Sequence, residues 1–261
     1  MRKYLHINSH TKHFYIHHYN IFTFVFKNKF NMAFEDIRVI GFDADDTLWS
    51  NEPYFREAED KFCDLMESYM PRHSAHRELY ATEIENLTLY GYGIKAFMLS
   101  MIETALKIAG NTLPVDVIAR IIEIGRSQLE YPVEVLEGVE DVLKALKGKY
   151  RLVVVTKGDL LDQERKLIKS NLSSYFHHIE IVSEKRTTDY QKLLKHLDIQ
   201  PHEFLMIGNS LKSDVIPVLD LGCCGVHVPF HTTWEHEKVD VIITDPKFRQ
   251  VKHINELLTL L

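Results

Sequence analysis

At 261 residues with 45% hydrophobic content, the chain is long enough to bury one core and a smaller subdomain, which excludes global disorder. The formal net charge is −6, but the first 31 residues hold five basic side chains and no acid, so the remainder carries 26 basic against 37 acidic groups. An acidic body of this kind argues against nucleic acid as a partner, since a phosphate backbone calls for clustered positive charge.

The stretch 1–31 (MRKYLHINSHTKHFYIHHYNIFTFVFKNKFN) differs in composition from everything after it, and it reads as an extension outside the fold, with Met32 preceding a domain-like start. Its apolar part, about Phe14 to Phe26, is interrupted by His17, His18 and Asn20. That is too short and too polar for a spanning helix, which needs about 20 mostly apolar residues, so no membrane partner is expected. It also lacks the small-residue cleavage site of a secretory signal.

From Asp36 the pattern turns strand-like: Ile37, Val39, Ile40 and Phe42 form an apolar run that stops at Asp43. Residues 52–129 read as helix throughout, with Phe55, Ala58, Phe62, Leu65 and Met66 at helical spacing, and Ile94, Phe97, Met98, Met101, Ile102, Ala105 and Leu106 repeating it. YGYGIK at 90–95 is a hinge-like turn inside this block. After Pro132 helices and strands alternate. A helix is expected over 139–147, the strand RLVVVT ending at Thr156, a helix over 163–169, the strand HIEIVS, a helix over 189–197, the strand FLMIG ending at Gly208, and a helix near 215–221. GVHV and VIIT are further strands, HTTWEHE at 231–237 reads as a surface loop, and a last helix is expected over 254–260. Apolar strands alternating with amphipathic helices imply an α/β fold, with a parallel sheet covered on both faces. Cys63, Cys223 and Cys224 lack zinc-ligand spacing and read as packing residues in a reduced, cytoplasmic setting.

In such sheets the ligand site lies beyond the carboxyl ends of the strands. Those ends carry Asp43 and Asp45, then Thr156 and Lys157, then Glu184 and Lys185, then Asn209, Ser210 and Asp214. Two carboxylates two residues apart on a turn can divide the work on one phosphorus atom. One can attack in line and form an aspartyl phosphate, while the other protonates the leaving oxygen and later activates water. Because anion meets anion, the attack requires positive charge, which Mg2+ held by oxygen ligands supplies. Asp43, the main-chain carbonyl of Asp45, and Asp214 are the candidate ligands, with Lys185 neutralising what remains. Thr156 and the amide groups of Lys157 and Gly158 can hold the nonbridging oxygens. Taken singly, each residue has a duller reading as a loop cap, a helix start or a solvated lysine.

Four motifs in order resemble the haloacid dehalogenase superfamily: DADDT at 43–47, VVVTKG at 153–158, SEK at 183–185 and IGNSLKSD at 207–214. The resemblance runs from about Ile37 to the end of the chain. It implies a Rossmann-like three-layer core over 32–50 and 131–261, with a helical cap inserted over 51–130. It also implies Asp43 as nucleophile, Asp45 as acid/base, Thr156 and Lys185 as phosphate ligands and Asp214 as metal ligand. Asn209 stands where many relatives have an acid, leaving a neutral oxygen ligand. Arg186 stands where many have proline, so Arg186 or Lys192 is an alternative to Lys185, and Asp46 stands where glycine is common. The function implied is Mg2+-dependent hydrolysis of a small phosphorylated metabolite through an aspartyl phosphate. A phosphomutase, a dehalogenase or a non-catalytic binding protein of the same fold are the alternatives, and Asp45 favours phosphate esters over dehalogenation. The cap would carry substrate choice, with YGYGIK facing the substrate.

Overall fold

The computed structural model describes residues 4–6 and 34–261. In chain order its strands and helices are β1 (Tyr4–His6), β2 (Val39–Phe42), α1 (Glu52–Met66), α2 (Arg72–Tyr90), α3 (Ile94–Ala109), α4 (Val115–Glu130) and α5 (Val139–Leu146). There follow β3 (Arg151–Lys157), α6 (Leu160–Lys169), β4 (His178–Val182), α7 (Thr187–Leu197), β5 (Phe204–Gly208), α8 (Ile216–Asp220), β6 (Cys224–His227), β7 (Val241–Ile243) and β8 (Phe248–Gln250).

Six strands form one sheet in the order β4-β3-β2-β5-β6-β8, and every pairing within it is parallel. Successive side chains on a strand point to opposite faces, and here both faces are apolar. Ile40, Phe42, Leu152, Val154, Leu205 and Ile207 meet α5 and the C-terminal turn on one side. Val39, Val153, Val155, Phe204 and Met206 meet Tyr190, Leu193, Leu194 and Leu197 of α7 on the other. Two buried faces make the three layers that the hydrophobic pattern of the strands implies. In register, Phe42 lies beside both Val154 and Ile207, so the carboxyl ends of the central strands open onto one edge.

Residues 52–130 form four helices with a core of their own, built from Phe62, Met66, Leu79, Phe97, Met101 and Ile121 among others. Cys63 packs in that core, while Cys223 and Cys224 pack against the sheet; all three are free thiols and buried. Among the described residues no helix is long and apolar enough to cross a membrane.

Three local features were not set by the sequence pattern. VIIT does not join the main sheet: β7 pairs antiparallel with β1, the part of the 1–31 stretch that lies within the described residues. The sixth strand of the main sheet is instead β8, whose three residues FRQ carry no apolar run. The last helix is a 3-10 turn, Ile254–Thr259, a form favoured for short pieces because so few residues cannot repay α-helix nucleation.

Candidate active site

Asp43 follows the last residue of β2, and its backbone N–H donates to the Ile207 carbonyl of β5 at 2.8 Å, which fixes it at the sheet edge. Thr47 donates its hydroxyl to Asp43 Oδ2 at 3.1 Å and accepts from the Asn209 N–H at 3.1 Å, joining the turn after β2 to the turn after β5. Lys185, just beyond β4, hydrogen-bonds Asp43 Oδ1 and donates to Asp214 Oδ1 at 2.7 Å. Asp214 Oδ2 accepts from the Ser210 N–H at 3.0 Å, inside the π-helical turn Leu211–Val215 that precedes α8. A side chain at Gly208 would collide with this carboxylate, since an added Cβ would lie 2.2 Å from Asp214 Oδ2. Lys185 is 4% exposed, whereas the side chains of Arg186 and Lys192 are 73% and 79% exposed, so of the three cations only Lys185 enters the cluster.

Two buried carboxylates thus share one ammonium, and the cluster is one positive charge short. Burial pushes the Asp43 carboxyl up to about 7, Lys185 pulls against that shift, and Asp214 adds to it. For Lys185 burial disfavours the ammonium, but Asp214 and Asp43 outweigh it and hold the lysine charged. The donor set of Asp43, Asp214, the amide oxygen of Asn209 and the main-chain carbonyl of Asp45 is all oxygen. One cation already spans its two carboxylates, which is the chemistry that suits Mg2+.

Asp45 is held by residues that the sequence did not bring to notice. It accepts from Trp49 Nε1 at 2.7 Å, Gln163 Nε2 at 2.8 Å and Lys166 Nζ at 3.0 Å. Gln163 and Lys166 lie three residues apart on α6 and therefore share a face. That spacing, on the first helix after the second motif, was the available signal. Gln163 Nε2 also donates to the Lys157 carbonyl at 3.0 Å, as does the Thr156 hydroxyl at 3.2 Å. Gly158 has φ +132, and a Cβ there would come within 2.9 Å of Gln163 Nε2, so the turn after β3 needs glycine on both counts.

Asp46, at φ +61, occupies the left-handed region in which glycine is common, and its carboxylate accepts from the N–H groups of Asn51 and Glu52 at 2.8 to 3.1 Å. It caps α1. The loop 231–237 is not a bystander on the surface but turns into the cleft. Glu237 accepts from Lys157 Nζ at 2.6 Å, Ser210 Oγ at 2.5 Å and Ser213 Oγ at 2.6 Å. Burial raises the Glu237 carboxyl, but the Lys157 ammonium and the two hydroxyls overcome this and bring it down to about 2. The same ammonium lies 4.2 Å from the centre of the Tyr92 ring, and Tyr92 donates its hydroxyl to Glu184 Oε1 at 3.0 Å. YGYGIK accordingly reaches the cleft, through Gly91, Tyr92 and Gly93.

One cleft is lined by all eight residues for which the sequence suggested a catalytic, phosphate-binding or metal-binding role: Asp43, Asp45, Thr156, Lys157, Gly158, Lys185, Asn209 and Asp214. Its far wall comes from the four-helix unit and is acidic, with Glu52, Glu59 and Glu83 beside Asn86 and Ser100. Arg56 is paired with Glu52 and Glu59, each at 3.0 Å. Glu83 Oε1 is buried and has no hydrogen-bond partner among the described residues.

Comparison with known proteins agrees with this geometry. A family model described as haloacid dehalogenase-like hydrolase matches residues 37–219. A glyceraldehyde 3-phosphate phosphatase from Pyrococcus furiosus is 26% identical over 194 residues, covering 71% of this chain and 78% of that protein. Among solved structures, a haloacid dehalogenase-like family hydrolase from Xanthomonas campestris is 39% identical with a TM-score of 0.77, covering 86% of this chain and 92% of its own. A magnesium-bound HAD-hydrolase from Bacillus subtilis shares the fold at 18% identity and a TM-score of 0.58, covering 87% of this chain and 99% of its own. With its four strand-end motifs gathered at one sheet edge and the family match spanning 37–219, the chain belongs to the haloacid dehalogenase-like hydrolases.

Proposed function

We propose that the protein hydrolyses small phosphate monoesters at Asp43 with Mg2+, and that the favoured leaving group donates hydrogen bonds and carries no negative charge. The observation that carries this reading is the convergence of Asp43 and Asp214 on the Lys185 ammonium, with Asp45 held separately by α6. A carboxylate already facing a cation can approach a phosphate dianion, and a second carboxyl, positioned apart from it by Trp49, Gln163 and Lys166, can serve proton transfer.

An Asp43 oxygen attacks phosphorus in line, the ester P–O bond breaks, and Asp45 gives its proton to the departing oxygen. Asp45 then takes a proton from water, whose oxygen attacks the aspartyl phosphate; the bond between phosphorus and Asp43 breaks, and inorganic phosphate leaves. Lys185 balances charge at Asp43 throughout, while Thr156 and the amides of Lys157 and Gly158 hold the phosphoryl oxygens. Asp43, Asp214, Asn209 and the Asp45 carbonyl would hold Mg2+, which supplies the positive charge that offsets the phosphate's. The four-helix unit acts as the cap, and its wall faces the leaving group.

That wall offers an anion no cation. Burial pushes the carboxyls of Glu52 and Glu83 up to about 7 and about 8, Arg56 is already paired with Glu52 and Glu59, and the buried Oε1 of Glu83, unpartnered among the described residues, calls for a hydrogen-bond partner. A hydroxyl-bearing leaving group satisfies it, whereas a carboxylate would be buried against acidic groups with no cation to pair with. The Pyrococcus furiosus relative is named for an ester whose leaving group carries no carboxylate. The test is a panel of phosphate esters assayed with MgCl2. Glycerol phosphate and glyceraldehyde 3-phosphate are expected to exceed phosphoglycolate in kcat/KM by at least about tenfold, a difference of about 1.4 kcal/mol in transition-state stabilisation. Above about pH 8, where Glu83 is charged, Glu83→Gln should narrow that gap. Preference for phosphoglycolate would overturn the assignment of the leaving group, and no phosphate release from any ester would overturn the activity itself.

A further inference from the structure

A second cluster of chemistry-bearing side chains lies at the other end of β4, away from the cleft. His178 and Glu180 are two residues apart on this strand and project from the same face. His196 comes from the last turn of α7, a helix fixed to the sheet by buried Tyr190, Leu193, Leu194 and Leu197. His178 Nε2 is 2.7 Å from Glu180 Oε2, His196 Nδ1 is 3.5 Å from that same oxygen, and the two imidazole rings meet edge to face at 5.1 Å. One ligand atom from each residue falls within 4.8 Å of the other two, and this is the only such group of three among the described residues. Ligands arranged tetrahedrally around zinc, at about 2.0–2.2 Å from the ion, stand about 3.4 Å apart, so modest side-chain rotation closes the set.

Two imidazoles and one carboxylate are a borderline donor set. It suits Zn2+ completed by water and is poorly matched to Mg2+, which demands hard oxygen ligands in near-octahedral geometry. The position also gives an ion something to do. Among the described residues β4 is an edge strand with β3 as its one neighbour, and edge strands are the least restrained part of a sheet. Five residues after Glu180 the same segment delivers Lys185 to the cleft.

We propose that His178, Glu180 and His196 bind one Zn2+ ion, or a chemically similar divalent transition metal, and that the ion ties the edge strand to α7. The experiment uses the full chain in saturating MgCl2, with ZnCl2 titrated by calorimetry and by thermal unfolding. The 1–31 stretch holds five histidines, a residue type that itself takes up zinc, so the reading is the difference between proteins. Wild type is expected to bind one Zn2+ more than His178→Ala/His196→Ala. A hundredfold excess over Kd should raise its Tm by about 5 °C, a rise the double variant lacks. His196→Ala alone removes a largely exposed side chain, keeps the fold, and should weaken the site at least tenfold. Equal zinc stoichiometry and affinity in wild type and the double variant would overturn the proposal, as would a wild type that takes up no zinc. Hydrolase activity with Mg2+ is expected to be the same in all three proteins.

Discussion

Lys185 is the residue on which the cluster turns, because among the described residues its ammonium is the one cation in contact with both Asp43 and Asp214. Removing one partner of a buried ion pair leaves an uncompensated charge and costs about 3 to 5 kcal/mol. Lys185→Met is therefore expected to lower stability by about 3 kcal/mol in metal-free buffer and to abolish turnover, with Mg2+ restoring part of the stability and none of the activity. Urea unfolding with and without MgCl2 measures this; equal loss in both conditions would count against a shared cation site. The sequence placed Lys185 by its position after the third apolar strand, and the choice among Lys185, Arg186 and Lys192 was open until burial decided it. Glu237 was beyond reach of any sequence pattern. Its partners Lys157, Ser210 and Ser213 lie 80, 27 and 24 residues away, and only the return of the 231–237 loop brings them together.

At the level of elements, α1 starts where it does because Asp46 caps it from the left-handed conformation. Asp46→Ala loses the cap and strains the backbone, and should cost about 1 to 2 kcal/mol. Asp46→Asn keeps both features and is expected to stay within about 0.5 kcal/mol of wild type at pH 6, a comparison that thermal unfolding settles. The acidic wall of the four helices makes a second statement about pH. Burial first, then the neighbouring Glu59 and Glu52, push the Glu83 carboxyl up to about 8. A folded-state value above the unfolded one means that the unfolded chain releases its proton first. Stability should therefore fall as pH rises between about 4.5 and about 8, by up to about 1.4 kcal/mol per pH unit from this group. In Glu83→Gln that slope is removed, so the variant should gain on wild type steadily across this window, and parallel pH profiles would refute it. The long helices and the central strands were legible because their apolar periods are long or fully buried. β8 was not, because three residues on a sheet edge leave no periodicity, and β7 was legible as a strand but not its partner, because its pairing with β1 depends on a contact more than 230 residues distant.

For the molecule as a whole, the four-helix unit meets the sheet edge at Tyr92. The ring lies over Lys157 and packs against Trp234 at 6.1 Å, and the hydroxyl reaches Glu184; Lys95 adds an ion pair to Asp159 at 2.8 Å. If these contacts hold the cleft closed over the leaving group, Tyr92→Ala should lower kcat/KM about tenfold, mainly through KM, with little change in Tm. Steady-state kinetics beside a melting curve distinguishes this from simple destabilisation. Covalent displacement at Asp43 leaves a phosphorylated protein between its two steps, and rapid quenching of a single turnover traps it. With protein in excess over a phosphorus-labelled ester, label is expected in acid-quenched protein, on the peptide containing Asp43, and in none of the Asp43→Asn variant. Phosphate release at the wild-type rate from Asp43→Asn, or label on another residue, would contradict it.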